Sequence, residues 1–197
     1  MRAYPARWVA CLLSCLLLLL VAGELNAQEL RAREPQIKAA FLYNFAKLVY
    51  WPTNAFTRTN APFVIGVLGK DSVAGALEGG LTGRAIDGHP IVIARYESAK
   101  EATNCHVLFI SDTERRNLDT IMPILSGRPI LTVSDSQGFV EWGVIELVRA
   151  DKNFNFRINL ETAQRAGLRL SSQLIRLDRN LRLPAASQTN APPVKLR

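Results

Sequence analysis

The sequence predicts a three-layer α/β domain, a mostly parallel sheet flanked by helices, with an antiparallel hairpin near the C-terminal end. Three observations carry this prediction. Short apolar runs, Phe63–Leu68, Ile91–Tyr96, Cys105–Ile110 and Ile130–Val133, alternate with stretches of helical character. An aromatic-rich amphipathic helix precedes them. Two strand-like runs, Val144–Val148 and Phe154–Ile158, then follow one another across a short polar turn.

The opening helix rests on spacing. Ile37, Phe41, Phe45, Leu48 and Val49 recur at i, i+4, i+8, i+11 and i+12, which places them on one helical face. Pro35 suits a first turn, where its missing N–H has no intrahelical partner to lose. Pro52 ends the run, because its ring disfavours helical backbone at Trp51. The result is a helix of roughly 16 residues, ~24 Å long. It carries Phe41, Tyr43, Phe45 and Tyr50, ends in Trp51, and has Asn44 and Lys47 as the polar interruptions near its apolar face. Such a helix needs a sheet to cover it.

Thr53–Pro62 reads as a connector. Phe63–Leu68 is a strand covered on both faces, after which Asp71 or Ser72 caps a short helix, Val73–Leu77, that runs into Gly79 and Gly80. Thr82–Pro90 reads as a glycine-rich loop, and Glu97–Asn104 has room for a turn of helix. Ser111–Asp112 caps a helix over Glu114–Leu125. Strands alternating with helices predict parallel pairing in a Rossmann- or flavodoxin-like arrangement. In the hairpin, Phe154, Phe156 and Ile158 alternate with Asn155 and Arg157, giving one buried and one wet face, with the turn at Asp151–Asn153. Asn159 precedes a helix, Leu160–Ala166; Gly167 breaks it, and Ser171–Ser172 restart helical chain through Leu177.

The two ends have different characters. Met1–Ala27 has the layout of a signal peptide: Arg2 and Arg7, an apolar run Val9–Ala22, and a plausible cleavage site at Leu25–Asn26–Ala27. That run of about 14 residues is short of the ~20 needed to span a bilayer, so export is expected rather than anchoring. One domain is expected over residues 28–183, and the small, polar, proline-bearing residues 184–197 predict a disordered tail. Losing Arg2, Arg7 and Glu24 would leave 22 basic and 16 acidic residues, net +6. The basic residues are scattered, and export argues against nucleic acid as partner. Cys11 and Cys15 leave with the signal peptide, so Cys105 alone remains and no intrachain disulfide is possible. Its place at the head of an apolar run predicts a buried thiol, an exposed one able to pair between chains being the alternative.

Few residues point to chemistry. Gly66-x-x-Gly69-Lys70-Asp71-Ser72 lies between a strand and a helix, where phosphates bind helix N-termini, which makes Gly69, Lys70 and Ser72 a weak anion-site candidate. It lacks the spacing of a P-loop, and ordinary capping accounts for the same pattern. His89 and His106 are the only histidines. Adjacent strand residues Cys105 and His106 point to opposite faces and cannot easily share a metal, so none is expected. There is no G-x-S-x-G elbow, and Asp112, Asp135 and Glu141 are acids that sequence does not bring together. No catalytic residues and no cofactor are expected; the pattern favours a binder or regulator.

Two stretches resemble the YfiR-like family. Lys38–Pro52, KAAFLYNFAKLVYWP, is similar to its opening helix, and Asn153–Leu177, NFNFRINLETAQRAGLRLSSQLIRL, to its closing strand and helix; Gly143-Val-Ile-Glu also fits. The resemblance spans about residues 36 to 178. It implies a compact, often dimeric, α/β protein of the periplasm. Such a protein binds the sensory region of an inner-membrane diguanylate cyclase and represses it, lowering cyclic-di-GMP and biofilm formation. Better-known relatives carry cysteine pairs that oxidise, whereas Cys105 is alone here, so that control does not transfer. Arg157 stands where several relatives are expected to carry an acidic residue. The partner contact is expected on the hairpin face and C-terminal helix, at Arg157, Glu161, Arg165, Arg169 and Arg176, although solvated helix charges would look the same. The competing expectation is a periplasmic small-molecule or anion-binding module serving another sensor.

Overall fold

The computed structural model describes residues 33–182 apart from 57, 59, 151 and 152, so the signal-peptide and tail readings lie outside the described residues. In chain order the elements are α1 (33–47), β1 (Val49–Tyr50), β2 (Phe63–Leu68), α2 (Val73–Leu81), β3 (Ala85–Ile86), β4 (His89–Tyr96) and β5 (Val107–Ile110). They continue with α3 (Leu118–Leu125), β6 (Leu131–Ser134), β7 (Ile145–Ala150), β8 (Asn153–Ile158), α4 (Leu160–Arg165), β9 (Arg169–Leu170) and α5 (Ser172–Arg182). Short 3-10 turns at Thr53–Ala55, Glu101–Asn104, Asp112–Asn117 and Phe139–Glu141 serve the connections.

Seven strands form one sheet in the order β3-β4-β2-β5-β6-β7-β8. The inner five, β4-β2-β5-β6-β7, are parallel, and β3 and β8 close the two edges antiparallel. Renumbered by chain order, the parallel strands run 2-1-3-4-5, the doubly wound order of flavodoxin-like folds. Period 2 explains the apolar runs. In β5, Val107 and Phe109 join one buried cluster with α1, α2 and Leu174 of α5, while Leu108 and Ile110 join a second with α3. A strand serving two helical layers must be apolar on both faces. One row, Val67–Phe109–Val133–Ile145–Ile158, crosses five strands in register and lies wholly in the first cluster.

Four local expectations need correction. The opening helix stops at residue 47; Val49 and Tyr50 instead pair antiparallel with Leu170 and Arg169, and Ser171 N donates to Leu48 O at 2.9 Å. Strand-forming Val and Tyr gain a ladder here that a last helical turn before Pro52 would forgo. The helix's buried stripe is Lys38, Ala39, Leu42, Phe45 and Ala46, one step round from the predicted face, with Ile37 and Phe41 half-buried. α2 continues through Gly79 and Gly80 because Leu77 and Leu81 are both buried anchors. Within the supposed loop Thr82–Pro90, Asp87 (φ 48°) and Gly88 (φ 84°) make a two-residue turn between β3 and β4, the left-handed pair that tight hairpins require.

The rest agrees with expectation to within a few residues. Ser111 Oγ accepts from Thr113 N at 3.3 Å, Asn159 Oδ1 accepts from Thr162 N at 2.9 Å, and Gly167 sits at φ 71° between α4 and β9. Cys105 is buried and its thiol donates to Ala102 O at 3.0 Å, so the exposed-thiol alternative fails; burial pushes its pKa up to about 12.

Candidate functional site

From β2 the chain crosses to β4 on one side and returns to β5 on the other, so the strands' carboxyl ends diverge at Gly69–Ser72 and Ser111–Glu114. This is where doubly wound sheets hold ligands. Here the chain's own groups occupy the crevice. Ser111 Oγ donates to Lys70 O at 3.1 Å, Thr113 Oγ1 accepts from Lys70 N at 3.3 Å, and Asp71 Oδ1 accepts from Val73 N at 2.8 Å. Gly69 has φ 86°, and a side chain there would meet Glu114 Cγ at 2.8 Å. Of the anion candidates, Ser72 and Lys70 line a cavity of about 250 Å³ together with Glu34, Asp71 and Lys38. The carboxylates around it oppose a bound anion.

Lys38 is the centre of this edge. Its side chain is buried, yet its Nζ lies 2.6 Å from Asp135 Oδ2, 3.0 Å from Glu34 Oε1 and 3.6 Å from Asp71 Oδ2. Arg149 Nη1 supports Glu34 from the outside at 2.7 Å. One ammonium thus ties α1 to the loops after β2 and β6. Burial works to lower its pKa, but Asp135, Glu34 and Asp71 outweigh burial and leave it raised above the ordinary 10.5. Of the other acids singled out in sequence, Asp112 and Glu141 are exposed, and Asp135 alone is drawn into this cluster.

The five expected partner residues are spread over β8, α4, β9 and α5. Arg157 on β8 donates through Nη2 to Glu146 Oε1 at 2.6 Å; that buried carboxylate also accepts from Gly138 N and Val140 N at 3.2 and 3.0 Å. Its position is therefore set by the interior. Glu161 and Arg165 pair along α4 at 3.6 Å, and Arg165 lines a cavity of about 550 Å³ with Met122, Ile130, Val144 and Trp142, the last 45% exposed. Arg169 and Arg176 converge elsewhere, on a cavity of about 610 Å³ shared with Lys47, Tyr50 and Ser171–Gln173. Arg169 lies over the Tyr50 ring and Lys47 over Tyr43. Lys47, Arg169 and Arg176 have no carboxylate partner among the described residues.

Sequence reasoning missed Lys38, Lys47, Tyr50 and Trp142. Lys38 had a readable signal, since a charge at i−4 from Leu42 and i−7 from Phe45 sits on the apolar stripe and must find partners. Trp142 had none, because its exposure follows from the 3-10 turn at Phe139–Glu141.

The Lys38 cluster makes a direct prediction. Lys38→Met leaves three carboxylates facing one another and should cost about 3–5 kcal/mol in urea unfolding. Because the folded pKa is raised, Lys38's contribution is complete below 10.5 and is lost as pH rises through the folded value. The wild type should lose its advantage over the variant in that alkaline window. A loss of less than ~0.5 kcal/mol at neutral pH would mean the cluster behaves as solvated surface charge.

No curated protein matches the chain. A family model described as YfiR/HmsC-like matches residues 35–179, which takes in all nine strands and nearly all of the helices of the described residues. The chain belongs to the YfiR/HmsC-like family.

Proposed function

We propose that this protein is exported to the periplasm and there binds the sensory region of an inner-membrane diguanylate cyclase. Binding holds the cyclase off and so lowers cyclic-di-GMP and biofilm formation. The observation that carries this reading is the family match over residues 35–179. Two others support it. The first 27 residues have signal-peptide composition, and no helix among the described residues is long and apolar enough to cross a membrane. Among the described residues, Lys38, Asp71, Ser111 and Thr113 at the carboxyl edge are engaged with the chain's own groups, which supports binding rather than turnover. The protein acts as a homodimer in this reading, with Glu161, Arg165, Arg169 and Arg176 contacting the partner while Arg157 shapes the hairpin face through Glu146.

Affinity capture of the tagged, exported protein from gently solubilised inner membranes tests this, with cellular cyclic-di-GMP measured in parallel. The expected outcome is capture of a membrane diguanylate cyclase, at least about tenfold weaker capture after Arg165→Glu with Arg169→Glu, and raised cyclic-di-GMP on deletion. Absence of any membrane sensor together with unchanged cyclic-di-GMP would contradict the regulator reading. Unchanged capture by the double variant would move the contact off this surface.

A second reading, an anion-binding module, is favoured by one observation: the cavity of about 610 Å³ is lined by Lys47, Arg169 and Arg176 with no acidic side chain among its walls. In that reading the anion sits there rather than at Gly69, Lys70 and Ser72. Inorganic phosphate at 100 times its Kd would add about 2.7 kcal/mol of stability. Thermal unfolding in phosphate against chloride at equal ionic strength checks it; the gain should vanish in Lys47→Gln with Arg176→Gln, and no gain in the wild type would end this reading.

A further inference from the structure

The two histidines lie far apart in sequence, yet both rings stack on the same phenylalanine. Phe56 is 4.1 Å from His89 with ring planes 15° apart, and 4.5 Å from His106 with planes 23° apart. Phe63 stacks on His106 at 4.8 Å, and Trp51 meets its edge at 6.4 Å.

The hydrogen bonds fix the proton of His106. Its Nδ1 accepts from Val64 N at 3.0 Å, so the ring hydrogen is on Nε2, which donates to Ala55 O at 3.2 Å. The same residue's backbone N–H donates to Val64 O at 2.9 Å, so ring and backbone together grip the central strand β2. His89 Nδ1 donates to Ala61 O at 2.7 Å. The connector between β1 and β2 is therefore held against the sheet by two imidazoles, at Ala55 and at Ala61.

A second proton on His106 has one place to go, Nδ1. There it would turn an acceptor into a donor facing the Val64 N–H, and a buried donor without an acceptor costs about 1–3 kcal/mol. No carboxylate lies within 4.0 Å of either imidazole among the described residues, so the new charge has no counter-ion. The titratable or charged groups around it are His89 on β4 across Phe56, Cys105 beside it in sequence, and Tyr50, Asp87 and Arg169 lining the cavity of about 210 Å³ next to His89.

We propose that the His89–Phe56–His106 stack is a pH-sensitive latch, closed when His106 is neutral. In acid, a proton from solvent adds to His106 Nδ1, the bond from Val64 N–H is lost, and repulsion across Phe56 frees the turn Thr53–Ala55 and Phe56 from the sheet. Burial, helped by the charge of His89, lowers the His106 pKa against the bond to Ala55 O. The folded pKa is depressed, so the stabilisation is complete above 6.5 and disappears as pH falls from 6.5 through the folded value. The latch opens inside that window. An exported protein meets the pH of its surroundings without cytoplasmic buffering, but the latch itself does not depend on the partner reading.

The test follows the side-chain resonances of both histidines by NMR from about pH 7.5 to about pH 4.5, where a depressed histidine titrates. Amide hydrogen exchange is measured in parallel, with rates corrected for the intrinsic pH dependence. The expected result is that His106 titrates below 6.5 while residues 53–56 and Val64 lose at least about tenfold protection relative to Val107–Ile110. His89→Phe keeps the ring stack and removes the second charge; it should raise the His106 pKa and move the loss of protection with it. His106→Phe should make exchange at residues 53–56 independent of pH. Three results would overturn the latch: His106 titrating with no local loss of protection, protection lost uniformly along the chain, or His89→Phe leaving the midpoint in place. The first and third need only folded wild type and the conservative His89 variant, so a poorly folding His106→Phe does not remove the test.

Discussion

One ammonium group holds the carboxyl end of the sheet together. Lys38 reaches Asp135, 97 residues away in sequence, together with Glu34 on its own helix and Asp71 after β2. A lysine buried this deeply would lose its charge unless carboxylates compensated it, and three converge here. The consequence is mechanical. α1 lies over the sheet through Leu42, Phe45 and Ala46, and apolar contacts alone are non-directional and would allow it to slide. The charge cluster fixes where along the strands it stops.

The same cluster shapes where function can reside. Doubly wound sheets offer a crevice at the strand-order reversal, and here the chain's own groups occupy it: Ser111 and Thr113 bond to the Lys70 backbone, and Asp71 pairs with Lys38. Three cations without a carboxylate partner among the described residues, Lys47, Arg169 and Arg176, line one cavity beside the small β1–β9 ladder. Arg95, Arg149 and Arg157 each have a carboxylate partner. A basic protein whose positive charges are partly neutralised internally presents its remaining field where they are not.

Much of the fold was legible because it obeys short-range rules. β2 is read at its observed bounds from six apolar residues, and the β7–β8 hairpin from alternation of Phe154, Phe156 and Ile158. The Asp87–Gly88 hairpin was also written in the sequence as the dipeptide that tight turns favour, and it was lost only because the surrounding glycines suggested loop. β1 and β9 were not legible. Each has two residues, and neither is a strand without the other, so their existence depends on a contact across 120 residues of chain. The candidate site was legible in parts. Arg169 and Arg176 line one cavity, Arg165 lines another and Arg157 pairs with Glu146, because residues chosen for charge lie on two strands and two helices that take separate directions. The stripe position of Lys38 was readable, but its partners Asp71 and Asp135 were not, because they lie far from it in sequence.

The account depends most on whether Lys38 and Asp135 act as one unit. A double-mutant cycle of Lys38→Met and Asp135→Asn, read by urea unfolding at neutral pH, measures this without reference to any partner protein. Coupling of at least about 1 kcal/mol, with the double variant less damaged than the two single effects added together, is the predicted result. Additive effects within ~0.3 kcal/mol would contradict it, and would mean that α1 is positioned by its apolar face alone.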